Sequence, residues 1–284
     1  MPHRLTILIP CKNESLNMLA CLQSVEPIAD EILVADSGST DDTLDIVRRF
    51  DRGRGKCRIV EREFIDSGDF KNWGIPQAAH EWVLVVDGDE RVTPELQQEI
   101  RQLLAGTPTK DGYWIRRDNH FMGHPIRHTS WGRDKVIRLF HRDLGRYQIH
   151  TDHSEIDLPR QRVGTLRGRL THFTCWDYDA YLPKMLRYTQ QQARLWHAQG
   201  KRPNFFKMVT TGPLRFLRSY VLELGFLDGW AGFQVSALTG FYSFLKQARL
   251  WQLTYGGKQA IADTDNETST DTPHILPMRS TKVG

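Results

Sequence analysis

The stretch Trp82-Val83-Leu84-Val85-Val86-Asp87-Gly88-Asp89-Glu90 constrains this chain most, because it runs an unbroken apolar segment directly into three carboxylates. A strand that is apolar at every residue is covered on both faces. In α/β proteins such a strand carries its polar end to a ligand at the carboxyl edge of the sheet. Read as extended chain through Asp87 and Asp89, a period of two puts both side chains on one face, close enough to share a divalent cation such as Mg2+ or Mn2+. Taken alone, the segment also reads as an ordinary strand followed by a polar turn and a helix cap.

The flanking sequence repeats the arrangement. Leu5-Thr6-Ile7-Leu8-Ile9, stopped by Pro10, predicts a buried strand that opens onto the polar loop Cys11-Lys12-Asn13-Glu14-Ser15. A helix is predicted from Ser15 to Val25, with Leu16, Leu19, Ala20 and Leu22 on its buried stripe. Glu31 to Asp36 is a second apolar strand ending in a carboxylate. The small and capping residues from Ser37 to Thr43 come next, then a helix to Phe50. Cys57 to Glu61 is a third strand, Phe70 to His80 reads as a helix, and Thr93-Pro94 carries the cap and first-turn proline of another. Alternating strands and helices predict a doubly wound, mostly parallel α/β sheet. Its strand ends would bring Asn13/Glu14, Asp36 and Asp87/Asp89 to one edge.

From Gly112 the texture changes to short β-like pieces with six histidines, His120, His124, His128, His141, His150 and His153. Their spacing is irregular and no cysteine joins them, so they read as loop histidines facing substrate or solvent rather than a zinc site. The chain becomes helical from Asp177, and Pro203 and Pro213 divide the helical stretch into segments. Phe205 to Tyr255 is aromatic and basic, suited either to packing on the rest of the protein or to lying on an anionic membrane surface. The organisation expected is residues 1–175 as the catalytic domain, 176–255 as a helical C-terminal region and 256–284 as a disordered tail.

A net charge of +4 permits anionic partners, but no compact basic cluster with interleaved aromatics marks nucleic acid. Four cysteines without CxxC pairing or a preceding signal peptide suggest reduced thiols and a cytoplasmic protein. No apolar run reaches the length of a transmembrane helix, which leaves peripheral membrane contact as the expectation.

Three motifs in order, Ile9-Pro10-Cys11-Lys12-Asn13-Glu14, Asp36 through Thr43, and Asp87-Gly88-Asp89-Glu90, resemble those of family-2 glycosyltransferases of the GT-A fold. Later pieces are similar to the branch that includes lipopolysaccharide-core β-glucosyltransferases: Lys71-Asn72, Asp134 through Phe140, Ile149-His150, Leu170-Thr171-His172 and Gly225 through Gly229. The resemblance spans roughly residues 4–255. It implies inverting transfer of a sugar from a nucleotide-sugar, UDP-linked by preference, to a lipopolysaccharide-type or lipid-linked glycan at the cytoplasmic face of a membrane.

Carried over by the resemblance, Pro10, Glu14, Asp36, Ser37 and Lys71 bind the donor together with Asp87 and Arg138, and Asp36 accepts a hydrogen bond from the base. Asp87 and Asp89 hold a divalent cation against the diphosphate, where it would stabilise the departing negative charge. Asp134 is the first candidate for the base that inversion requires, with Asp152 and Glu155 as alternatives, because this chain lacks the glutamate that relatives often place directly after the Val-His pair. His150 and His172 are expected to orient the acceptor. Two rivals remain in view. A sugar nucleotidyltransferase should carry a Gly-rich basic loop after the first strand, where this chain has Cys-Lys-Asn-Glu-Ser. A non-catalytic nucleotide-sugar-binding module would not need carboxylates at all three strand ends.

Overall fold

The computed structural model describes residues 3–148 and 155–256. His150, Asp152 and the tail beyond Gly256 lie outside them. Four parallel strands form from the apolar runs: β1 (Leu5–Cys11), β2 (Glu31–Asp36), β3 (Cys57–Glu61) and β4 (Trp82–Val85), arranged β3-β2-β1-β4. They are linked through α1 (Ser15–Val25), α2 (Thr43–Asp51) and α3 (Ser67–Gly74). A short β5 (Glu90–Val92) leads into α4 (Pro94–Ala105), whose Thr93 side chain accepts the Leu96 amide as a cap.

Strand alternation divides the apolar side chains between two cores. Leu5, Ile7 and Ile9 share one with Trp82, Leu84 and Val86, under Met18 and Leu22 of α1, Val47 of α2 and Leu96 of α4. Leu8, Val83 and Val85 point into the other, with Phe70 of α3. Burial on both faces is what lets β1, the body of β2 and β4 be almost wholly apolar, whereas the edge strand β3 carries an exposed Arg58.

The second half of the sheet is mixed. It comprises β6 (Gly112–Phe121), β7 (His124–Pro125), β8 (Lys135–His141) and β9 (Val163–Cys175). Strand β8 runs antiparallel between β4 and β6, β9 lies parallel to β6, and β5 closes the edge antiparallel to β9. The carboxyl ends of β1, β2 and β4 therefore face side chains delivered by β6, β8 and β9. Three further helices complete the chain, α5 (Tyr178–Ala198), α6 (Phe205–Leu217) and α7 (Gly229–Tyr255). A third apolar cluster of Phe121, Ile126, Cys175, Ala231 and Val235 joins α7 to the ends of β6 and β9. No helix among the described residues is long and apolar enough to cross a membrane. All four cysteines are free.

Four local expectations are corrected. On α1 the buried residues are Asn17, Met18, Cys21, Leu22 and Val25, while Ala20 is exposed, Leu16 is 74% exposed and Leu19 also faces solvent. The helix rotates because Asn17 turns inward to bond Glu14, Arg91 and Trp176. The segment 70–80 is helical only to Gly74, after which Ile75-Pro76-Gln77 forms a single 3-10 turn. Pro213 lies inside α6 rather than ending it. Finally, Asp87-Gly88-Asp89-Glu90 is a tight turn closed by the Glu90 amide donating to the Asp87 carbonyl at 2.8 Å, so its two aspartates are not alternate residues of one strand.

Candidate functional site

The loops after β1 and β2 are laced into one surface. Asn13, held at φ 54°, accepts the Thr40 amide on its side-chain oxygen at 2.8 Å and donates its own amide to Ser39 Oγ at 2.9 Å. The Glu14 amide donates to Thr43 Oγ1. Asp41 accepts from the amides of Ser15 and Thr43, and although burial opposes ionisation, the Thr43 and Ser15 hydrogen bonds hold its carboxyl at about 2. Asp36 is buried with its carboxylate turned onto its own loop, accepting the amides of Gly38 and Ser39, both at 2.8 Å, and the Ser39 hydroxyl. Ser37 is tied by its amide and hydroxyl to the Cys11 carbonyl. Pro10 sits half-buried in β1. Gly38, at φ 86°, takes the left-handed conformation that a small residue in this loop allows.

The turn after β4 is held by charge. Asp87 contacts Lys71 Nζ at 3.1 Å and is bonded by Arg138. Burial works against its ionisation, yet Arg138 and Lys71 keep its carboxyl well below the usual carboxylate range. Arg138 is only 3% exposed and also donates to Glu90 at 2.8 Å. Glu90 is fully buried, accepts the Asp87 amide at 3.0 Å and meets Arg117 at 3.3 Å. Arg117 then reaches Asp134, donating to its Oδ2 at 2.6 and 2.8 Å, and Asn119 Nδ2 donates to the same oxygen at 3.1 Å. A continuous chain of alternating charge thus runs from Lys71 through Asp87, Arg138, Glu90 and Arg117 to Asp134. Lys71 lies 5.2 Å from the Tyr147 ring, a cation–π contact.

Asp89 points the other way. His172 Nε2 lies 3.5 Å from it, and the opposite ring nitrogen is 2.6 Å from Asn119 Oδ1. Burial is overcome by His172 and Lys184, which hold the Asp89 carboxyl at about 2. Lys184 of α5 is itself raised, against the cost of desolvation, by Asp89, Tyr188, Asp87 and Glu14. Glu14 goes the opposite way: burial and the neighbouring Asp89 push it up to about 7.

That cluster fits a divalent cation by the chemistry of its donors. Among the described residues no three His, Cys, Asp or Glu side chains form a ready-made metal shell. Mg2+ in nucleotide sites typically uses one or two carboxylates and completes its shell with phosphate oxygens and water. Asp87 is already in contact with two cations, whereas Asp89 contacts a histidine, feels Lys184 through its charge, and faces the under-compensated Glu14. A cation bound at Asp89 would offset the Asp89 charge that, after burial, raises the Glu14 carboxyl.

The predicted residues Glu14, Lys71, Asp87, Asp89, Asp134, Arg138 and His172 therefore fall into one network. Asp36 and Ser37 shape the adjoining loops, and Glu155 is an exposed residue whose carbonyl accepts the Gln148 amide. Sequence reasoning did not single out Arg117, Asn119, Asn17 or Lys184. Only Arg117 had a readable signal, as a charge in a strand beside a candidate base.

A model of a family described as glycosyl transferase family 2 matches residues 6–162. The lipopolysaccharide core biosynthesis glycosyltransferase LpsC of Rhizobium meliloti is 30% identical over 250 residues, covering 87% of this chain and 92% of that protein. An uncharacterised glycosyltransferase of Rickettsia typhi is 25% identical over 274 residues, covering 93% and 91%. A Pyrobaculum calidifontis mannosyltransferase solved with GDP-mannose and Mn2+ superposes with a TM-score of 0.47 at 18% identity, covering 95% of this chain and 80% of that one, a likeness too distant to bear on the site.

Proposed function

The chain belongs to glycosyl transferase family 2 and has the mixed α/β sheet of the GT-A fold, and from that premise we propose that it is an inverting, cation-dependent glycosyltransferase. Its donor is a nucleotide-sugar, UDP-linked by preference, and its acceptor a lipopolysaccharide-type or lipid-linked glycan. The observation that carries this reading is the convergence of Glu14, Asp87 and Asp89 with Lys71, Arg138 and Lys184 at the carboxyl edge of the parallel strands. The relative from Rhizobium meliloti, whose name assigns it to lipopolysaccharide core synthesis, supports the acceptor class.

In this reading the loops of Asn13–Glu14 and Asp36–Thr43 receive the nucleotide. Asp36 acts as a positioning residue, since its carboxylate fixes the Gly38 and Ser39 amides. Asp89 would hold the divalent cation, which would supply Lewis-acid stabilisation to the leaving diphosphate. Lys71 and Lys184 offer further positive charge to the same diphosphate. Asp134 takes the proton of the acceptor hydroxyl as that oxygen bonds to the anomeric carbon and the bond to the diphosphate breaks, the electron pair leaving with the nucleotide. Arg117 and Asn119 both grip Oδ2 of Asp134, leaving Oδ1 without a bond to any described residue and able to meet the hydroxyl.

The test is nucleotide release from a panel of UDP- and GDP-sugars in the presence of Mn2+, with Asp89→Ala and Asp134→Ala in parallel. Absence of metal-dependent donor binding would sink the assignment. Wild-type turnover of Asp134→Ala with the true acceptor would remove Asp134 as base while leaving the donor site standing.

A further inference from the structure

Among the described residues, large exposed apolar side chains concentrate in the C-terminal helices, most densely where α6 turns into α7. Leu217, Val221, Leu222, Leu227 and Trp230 all face solvent there, with Leu222 77% and Trp230 84% exposed. The connection is compact: a π-type turn over Arg218–Leu222, Leu224 at φ 61°, and a 3-10 turn over Gly225–Asp228. An apolar patch of this density on a folded surface marks a partner.

Charge identifies the partner. Residues 205–255 contain five bases, Lys207, Arg215, Arg218, Lys246 and Arg249, and two acids, Glu223 and Asp228. Both acids are turned inward. Glu223 pairs with Arg218 at 3.0 Å, and Asp228 accepts from the amides of Arg127 and His128 and contacts His128 Nδ1 at 2.8 Å. The outer surface of the hairpin is thereby left apolar and basic, with Lys207 exposed near the start of α6 among exposed Phe205, Phe206 and Val209, and Arg215 half-buried near its end. A second copy of the chain meeting this face about a two-fold axis would bring like charges together. Anionic headgroups above an apolar phase satisfy both features at once.

We propose that the α6–α7 hairpin docks in the interface of a bilayer carrying anionic lipids, lying in its surface with the tip residues immersed and Lys207 and Arg215 at the headgroups. The hairpin is also joined to the site. Asp228 anchors the 127–128 segment, and a few residues on the Trp131 carbonyl accepts from Asn119, the residue that grips Asp134. If the acceptor is the lipid-linked glycan proposed for this enzyme, docking would hold Asp134 at a fixed position relative to a glycan anchored in the same bilayer.

Co-sedimentation of the full chain with vesicles of phosphatidylcholine, alone or mixed with phosphatidylglycerol, tests this. Binding is expected with the anionic mixture and to be much weaker with phosphatidylcholine alone. Leu222→Asp/Trp230→Asp should lose it, and Lys207→Ala/Arg215→Ala, which touches no core residue, should weaken it about thirtyfold. Metal-dependent donor binding should survive in both variants, which separates failure of the surface from failure of the donor site. Equal sedimentation of wild type and Leu222→Asp/Trp230→Asp, or no sedimentation of wild type, overturns the proposal. A dimer in light scattering that the same double variant dissolves, with no vesicle binding, assigns the face to a second copy and overturns it equally.

Discussion

Replacing Arg138 by Met isolates the charge chain that underlies the site. The substitution keeps an unbranched side chain of similar length in a pocket that is almost wholly buried, so cavity formation contributes little. What it removes is the cation shared by Asp87 and fully buried Glu90. Breaking a buried ion pair by deleting one partner costs about 3–5 kcal/mol, because the survivor is left uncompensated. Here Glu90 keeps Arg117 and the Asp87 amide, and Asp87 keeps Lys71, which places the expected loss at the lower end, about 3 kcal/mol. For a chain of this size that corresponds to a fall in Tm of roughly 6–12 °C. The assay is thermal unfolding monitored by circular dichroism at pH 7 with a chelator present. Adding Glu90→Gln to Arg138→Met should cost less than the sum of the two single changes, since the second removes the charge the first stranded. Asp87 fixes the pH dependence: its folded carboxyl is depressed, so its contribution is present above the unfolded value near 3.8 and is lost as pH falls through the lower folded one. The deficit of Arg138→Met should therefore stay constant from pH 5 to pH 8 and narrow only below about pH 4. A Tm within about 2 °C of wild type, or strict additivity with Glu90→Gln, would refute the shared-charge account.

Neighbouring groups carry their own expectations. Glu14 has its carboxyl raised from 4.5 to about 7 by burial and Asp89, so the folded state holds its proton longer than the unfolded one. Stability measured by urea unfolding in chelator should fall as pH rises from 4.5 to 7 in wild type and fall less in Glu14→Gln. Lys184→Ala should raise the KM for the donor while leaving the melting temperature within a few degrees, and loss of stability without any change in KM would assign it a structural role. Asp134→Asn keeps the Arg117 and Asn119 bonds and should lower kcat by a factor of about 10²–10⁴ with donor affinity unchanged, as measured by calorimetric titration of the donor. Asp36→Ala frees the Gly38 and Ser39 amides and should weaken nucleotide binding, detectable by the same titration.

The parallel half of the sheet was legible because its inner strands follow a simple rule: a short, almost wholly apolar run, then a carboxylate or a capping loop. That rule located Glu14, Asp36, Asp87 and Asp89 in advance. It could not reveal how the turn from Asp87 to Glu90 folds, since Gly88 permits a tight turn as readily as an extended residue. Glu90, in the sequence simply the third carboxylate of the run, is the most buried of the three, because two arginines from later strands close over it. Pairings of that kind join residues 27 and 48 positions apart and leave no periodic trace. The face of α1 was misread for a related reason: its apolar residues offer two stripes, and the choice is made by Asn17, whose partners Arg91 and Trp176 are distant in the chain. Lys184 had no local signal at all.

The sharing of Glu90 between Arg117 and Arg138 also limits how this enzyme can be recombined with its relatives. The acid opens β5, directly after the parallel strands, while both arginines come from β6 and β8 in the mixed half of the sheet. Grafting the mixed half of the sheet from another glycosyltransferase onto residues 3–92 would strand Glu90 unless the graft brings both arginines in register. Exchanging the loops between β6 and β8 leaves that pairing intact, whereas exchanging the strands themselves does not. The same restriction extends, through single partners, to Asp87 with Arg138 and Asp89 with His172, but only Glu90 needs two later residues at once.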